Sequence, residues 1–169
     1  MSNPNQPGSG GQVFAPPTSL RDRLGPRFGK INPDAIAKAE AALKGLSSQF
    51  SQWLQDEIAK LENAREVIRT DGANQFTLDA LYGHAHDLKG LGTTYEYPIV
   101  TRIAGSLCKL LGEGDTRLVA PMPLVNAHVD AIRAAFRDGV KDADTPVGAA
   151  LVGELERHTN LYLASVRGS

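Results

Sequence analysis

The sequence has a single cysteine, Cys108, one tryptophan, and only 6% aromatic residues. One thiol can neither close an internal disulfide nor supply a multi-thiolate zinc site, so the fold has to rest on its apolar core. With 169 residues, 41% of them hydrophobic, the chain is long enough to build the core of one domain. No apolar run approaches the roughly 20 residues that a membrane span needs, so no membrane contact is expected. Charge of one sign is lacking too. There are 18 Lys and Arg against 19 Asp and Glu, without a dense basic stripe, which argues against a nucleic-acid binder working through a strong positive field. The opening MSNPNQPGSGG lacks the basic-then-apolar order of a secretory leader, and a cytoplasmic protein is expected. Neither an alternating strand pattern nor an internal repeat is present.

What is present divides in two. Residues 1–33 hold six of the ten prolines and five glycines, a density that does not support a packed helix or strand, and they read as a disordered tail. Arg21, Arg23, Arg27 and Lys30 against Asp22 give the tail +3, leaving −4 on the rest. Residues 34–169 read as one all-α domain, with apolar residues three and four apart in segments rich in Ala, Leu, Glu, Lys and Arg. The first helix is expected from Asp34 to about Arg69, with Leu43, Leu46, Phe50, Trp53, Ile58, Leu61, Ala64 and Ile68 on its inner stripe. A helix of that length would span about 54 Å. The stretch Gly45-Leu46-Ser47-Ser48, a glycine stop followed by N-cap candidates, predicts a break. The second helix is expected from a Thr77 cap to about Thr93, and the third from Pro98 to Gly112 and Gly114. Leu124–Phe136 and Val147–Val166 give two more. Short connections favour an antiparallel up-and-down four-helix bundle with an extra C-terminal helix.

The chemistry concentrates in Leu81-Tyr82-Gly83-His84-Ala85-His86-Asp87-Leu88-Lys89-Gly90. At about 100° per residue, Leu78, Leu81, Tyr82, Ala85, Leu88 and Gly92 face inward, while Asp79, Gly83, His86, Gly90 and Thr93 line the outer side. His86 is therefore expected to be exposed, with a glycine one turn before it and one turn after. Each glycine costs about 1 kcal/mol relative to alanine inside a helix, and clearance for a large partner or substituent is the plainest return on that cost. Imidazoles ionise near neutral pH, so an exposed one offers a neutral ring nitrogen as a nucleophile. Lys89, three residues on, can bring an ammonium to an anion held there. The pattern predicts a phosphoryl-accepting histidine.

The stretch His86-Asp87-Leu88-Lys89-Gly90 resembles the H-x-L-K-G signature of histidine-containing phosphotransfer domains, helical bundles that relay phosphoryl groups between receiver-domain aspartates or from a histidine kinase to a receiver. Leu107-Cys108-Lys109-Leu110-Leu111 is similar to the small-residue and leucine pattern on that family's neighbouring helix, and the resemblance covers roughly residues 34–140. It implies that His86 is phosphorylated on its outer ring nitrogen, that Lys89 stabilises the phosphoryl group, and that Gly90 leaves room for the receiver. Gly83, Gly90, Asp79 and Asp87 are then the expected docking positions. Magnesium would belong to the receiver, so no metal or cofactor is expected in this chain. The turn departs from the family: where many members have a glycine, this chain reads Thr94-Tyr95-Glu96-Tyr97-Pro98.

The remaining candidates read as structural. His84 and His86 lie about 200° apart on a helix and cannot readily grip one ion. His84 is expected on a flank, Trp53, Phe50 and Phe136 in the core, His128 and His158 at the surface or helix ends, and Cys108 buried and inert. No glycine-rich nucleotide loop is present, so the expectation is a phosphocarrier without kinase activity, monomeric, in a two-component phosphorelay with receivers or a histidine kinase as partners. The alternative is a helical adaptor that binds the same partners without carrying phosphate.

Overall fold

A computed structural model describes residues 32–168. Among them there is no strand. The elements are α1 (Pro33–Asp71), α2 (Gln75–Leu91), α3 (Pro98–Leu111), a 3-10 helix (Gly114–Val119), α4 (Met122–Arg137) and α5 (Pro146–Arg167). No helix is long and apolar enough to cross a membrane. The expected disordered tail lies, up to residue 31, outside the described residues, and Pro33 already opens α1. The chain divides into two compact units between Gly45 and Leu46. In the first, the Asn32 side chain accepts from the Asp34 N–H at 3.0 Å and caps α1, with Pro33 in the first helical position.

In the second unit, α3 is the central element. Nine of its fourteen residues are buried, and it packs against α2, α4, α5 and the 3-10 helix. Ile99, Val100, Ile103, Ala104, Leu107 and Leu111 are fully enclosed, facing Leu78, Leu81, Ala85 and Leu88 of α2 and Val125, Val129 and Ile132 of α4 within one apolar cluster. Leu54, Ile58, Leu61, Ala64 and Ile68 of α1 complete it. Arg65 reaches Asp130 of α4, and Glu62 meets Arg133 at 3.5 Å.

Several expectations are corrected. No break interrupts α1 at Gly45–Ser48: the Ser47 hydroxyl, free to cap a new helix in principle, donates instead to Glu96 at 2.9 Å. The inner stripe of α1 begins at Leu54, so Leu43 and Leu46 are exposed. Trp53, expected in the core, is 42% exposed and forms a surface cluster with Phe50 and Tyr95, ring centroids 5.5–5.9 Å apart. Phe136 is half-buried, on the Tyr97 ring at 5.2 Å. The N-cap of α2 is Asn74 and not Thr77: its side chain accepts from the Thr77 N–H, while the Thr77 hydroxyl accepts from the Asn74 N–H, each at 3.0 Å. This reciprocal box satisfies two donors that a lone threonine cap would leave open. The helix ends at Leu91, two residues short of the expected Thr93. The 3-10 helix falls in a segment without helical periodicity.

The turn after α2 is tightly built. Gly92 is a packing glycine, since a Cβ there would fall 2.6 Å from both N and Oγ1 of Thr101. Tyr97 N–H donates to the Gly92 carbonyl at 2.7 Å, and between them Glu96 adopts φ +69°. This left-handed position is held by the Glu96 carboxylate, which accepts from Ser47 and lies 4.0 Å from Lys141.

Candidate functional site

Helix α2 carries His86 on its outer side. His86, Asp79, Gly83, Asp87, Lys89, Gly90 and Thr93 are all exposed, whereas Leu78, Leu81, Ala85 and Leu88 are buried, as the 3.6-residue period requires. A Cβ at Gly83 or Gly90 would meet nothing within 4 Å, and neither glycine has a positive φ. Folding therefore gives no reason for glycine at either place, in contrast to Gly92. The lane beside His86 is open.

Lys89 projects toward α3. Its Cδ and Cε lie 4.0 Å from where a Gly105 side chain would begin, so the small residue on α3 accommodates the lysine stem. No ion pair or hydrogen bond reaches Lys89 among the described residues, and none joins it to His86. Beside it runs a groove of about 540 Å³ whose lining includes Tyr82, Lys89, Arg102, Lys109, Ser106 and Thr159. Arg102 is paired across it with Glu156 at 3.0 Å. Cys108 is buried, and burial pushes its thiol pKa up, against the opposing pull of Lys89 and Arg117.

Asp79 is not a free rim charge. It accepts from Gln75 at 2.8 Å and from Arg117 at 2.7 Å, which hold its carboxyl below the usual range. Asp87 stays at the surface, and Lys60 of α1 is paired with Glu57 at 2.7 Å. His84 is half-buried on the flank facing α1, beside Lys60, Asn63 and Thr77, with Nδ1 enclosed and without a hydrogen-bond partner. Among the described residues no group of three or more His, Cys, Asp or Glu side chains converges to hold a metal ion.

Two features escaped the sequence. Arg117 lies over the Tyr82 ring, its guanidinium carbon 3.7 Å from the centroid, and the Tyr82 ring is 6.1 Å from that of His86. Only the fold brings residue 117 back to α2. The second is His128, expected at the surface or a helix end and found fully buried. Its Nδ1–H donates to Leu124 O at 2.8 Å, which leaves Nε2 to accept from the Ser106 hydroxyl at 2.9 Å; Thr159 Oγ1 lies 3.1 Å from that hydroxyl. Burial pushes the His128 pKa down from 6.5, partly opposed by the bond to Leu124. His158 is at the surface, 3.1 Å from Glu154.

No known protein-family model, curated protein or solved structure matches this chain.

Proposed function

We propose that this protein is a histidine phosphocarrier: His86 takes a phosphoryl group from the aspartyl phosphate of one receiver domain, or from a histidine kinase, and passes it to the aspartate of another receiver. The observation that carries the reading is an exposed histidine between Gly83, inside the helix, and Gly90, in its last turn, neither of which packing or backbone conformation requires. The cost of about 1 kcal/mol at Gly83 is unexplained by folding, and clearance for an incoming domain explains it together with the open space at Gly90. The short resemblance at His86-Asp87-Leu88-Lys89-Gly90 supports it, as does Lys89 one turn on, which has no carboxylate partner among the described residues.

In the transfer step, the lone pair of the unprotonated His86 ring nitrogen attacks phosphorus. The N–P bond forms as the acyl phosphate P–O bond breaks, and the electron pair leaves with the donor's carboxylate. The ring proton stays on the other nitrogen. Lys89 is placed to offset the phosphoryl charge. Magnesium belongs to the receiver in this reading. The reading also takes α1 from Leu46, α2, α3 and α4 as an antiparallel four-helix bundle with α5 added, supported by the short connections and by the Arg65–Asp130 and Glu62–Arg133 pairings. Autophosphorylation from ATP is not expected.

Incubating wild type and His86→Gln with phosphorylated receivers and magnesium tests the reading. An acid-labile, base-stable label on the wild type alone is the expected result. Receiver binding without label in the wild type would instead favour the adaptor and overturn the carrier.

A further inference from the structure

The 3-10 helix buries no residue of its own, yet the chain bends twice to place it: Gly112 and Gly114 have φ of 60° and 56°. Thr116 closes the segment by donating from Oγ1 to Glu113 O at 2.6 Å. A Cβ at Gly112 would fall 2.5 Å from that hydroxyl, so the return depends on glycine there. What this construction delivers is Arg117, whose side chain is only 13% exposed. Nη1 meets Asp79 at 2.7 Å, Nε donates to Gly112 O at 2.9 Å, and the guanidinium carbon lies 3.7 Å from the Tyr82 ring centre. Two hydrogen bonds thus hold the cation against the negative face of the ring. Tyr82 stands one turn before His86, with the ring planes 31° apart.

We infer that Arg117 and Tyr82 are positioning residues for His86, so that the 3-10 helix belongs to the phosphotransfer site; the inference rests on the reading of His86 as phosphoryl acceptor. Seen down α2, His86 has Tyr82 and Lys89 on one side and Gly83 and Gly90 on the other. An aromatic side chain on a helix has two usable χ1 wells. Pinning the Tyr82 ring gives the imidazole a fixed neighbour on one side, 6.1 Å between ring centres, and this contact favours one of the two orientations while the glycine side stays open to the partner. A nucleophile so held loses less freedom on the way to the transition state. Arg117 makes no contact with His86, and Asp79 neutralises its charge, so its influence passes through the Tyr82 ring.

Isotope-edited NMR of the unphosphorylated full chain tests this without a receiver. Tyr82→Ala and Arg117→Ala are expected to shift the His86 ring protons and to average its χ1 couplings, while the α3 core amides stay in place. Tyr82→Phe, which keeps the ring, should match the wild type. In single-turnover transfer from a saturating phosphorylated receiver, Tyr82→Ala and Arg117→Ala should be slower by about fivefold to twentyfold, with the half-saturating receiver concentration unchanged. His86 ring signals or a maximal transfer rate unchanged in Arg117→Ala would overturn the inference. A raised half-saturating concentration at an unchanged maximal rate would make these docking residues and overturn it as well. If the ring signals respond as expected but wild-type His86 accepts no phosphoryl group, the positioning stands and the phosphocarrier reading falls.

Discussion

His86 and His128 are the same side chain in opposite surroundings. His86 stands exposed on α2 beside two glycines that meet nothing, while His128 is enclosed between α3, α4 and α5 with both ring nitrogens bonded. A histidine whose hydrogen bonds are all made within the fold has no nitrogen left for chemistry and serves stability. One left open on a cleared helix face contributes nothing evident to the fold and is available for a partner. The same division separates the glycines: Gly92 is needed for α2 to approach Thr101, whereas Gly83 and Gly90 are not needed by any neighbour.

The largest effect on stability is expected at the buried site. His128→Ala leaves the Ser106 and Thr159 hydroxyls without the ring nitrogen and opens a cavity, costing about 2–4 kcal/mol in urea unfolding, while His86 should still accept label below the melting temperature. Loss of label in a folded His128→Ala protein would break the division.

Next come the glycines. Gly92→Ala forces a Cβ against the Thr101 backbone and should destabilise by about 1–3 kcal/mol. Gly83→Ala should stabilise by about 1 kcal/mol, because the added methyl enters open space in an ordinary helical backbone. The alanine at 83 should nonetheless slow transfer from a receiver while sparing labelling by a small phosphodonor. Equal slowing with both donors would contradict the clearance account.

The smallest effect is the pH dependence. The folded His128 pKa lies below 6.5, so below that value the unfolded chain binds the proton more readily. Its contribution is complete above about pH 6.5 and is lost as pH falls from there toward the folded pKa, at no more than about 1.4 kcal/mol per pH unit. Urea unfolding at pH 7.5, 6 and 5 should show this slope in the wild type and a flatter one in His128→Gln, which cannot titrate. Parallel slopes would mean that His128 does not titrate differently on folding.

Much of the α2 face was legible in the sequence because it depends on local periodicity: Leu78, Leu81, Ala85 and Leu88 inward, His86 outward, Pro98 opening α3. What could not be read depends on residues distant in sequence. His128 is buried because Ser106 and Thr159, 22 and 31 residues away, complete its hydrogen bonds. In α1, Ile58, Leu61, Ala64 and Ile68 are buried as expected, but the N-terminal part of the stripe was misread: Leu43 and Leu46 are exposed, and Trp53 leaves the core to cluster with half-buried Phe50 and Tyr95. Arg117 carried no signal, since a short segment between helices does not announce where it folds back. Glu96 gave no signal of its left-handed backbone either, since a non-glycine residue at positive φ is fixed by its surroundings.

The most direct test is phosphorus NMR of the protein after exposure to a phosphorylated receiver with magnesium, run on wild type, His128→Gln and His86→Gln. A phosphoimidazole resonance is expected in the first two and none in the third. A resonance surviving in His86→Gln, or absent from a wild type that binds the receiver, would contradict the carrier reading.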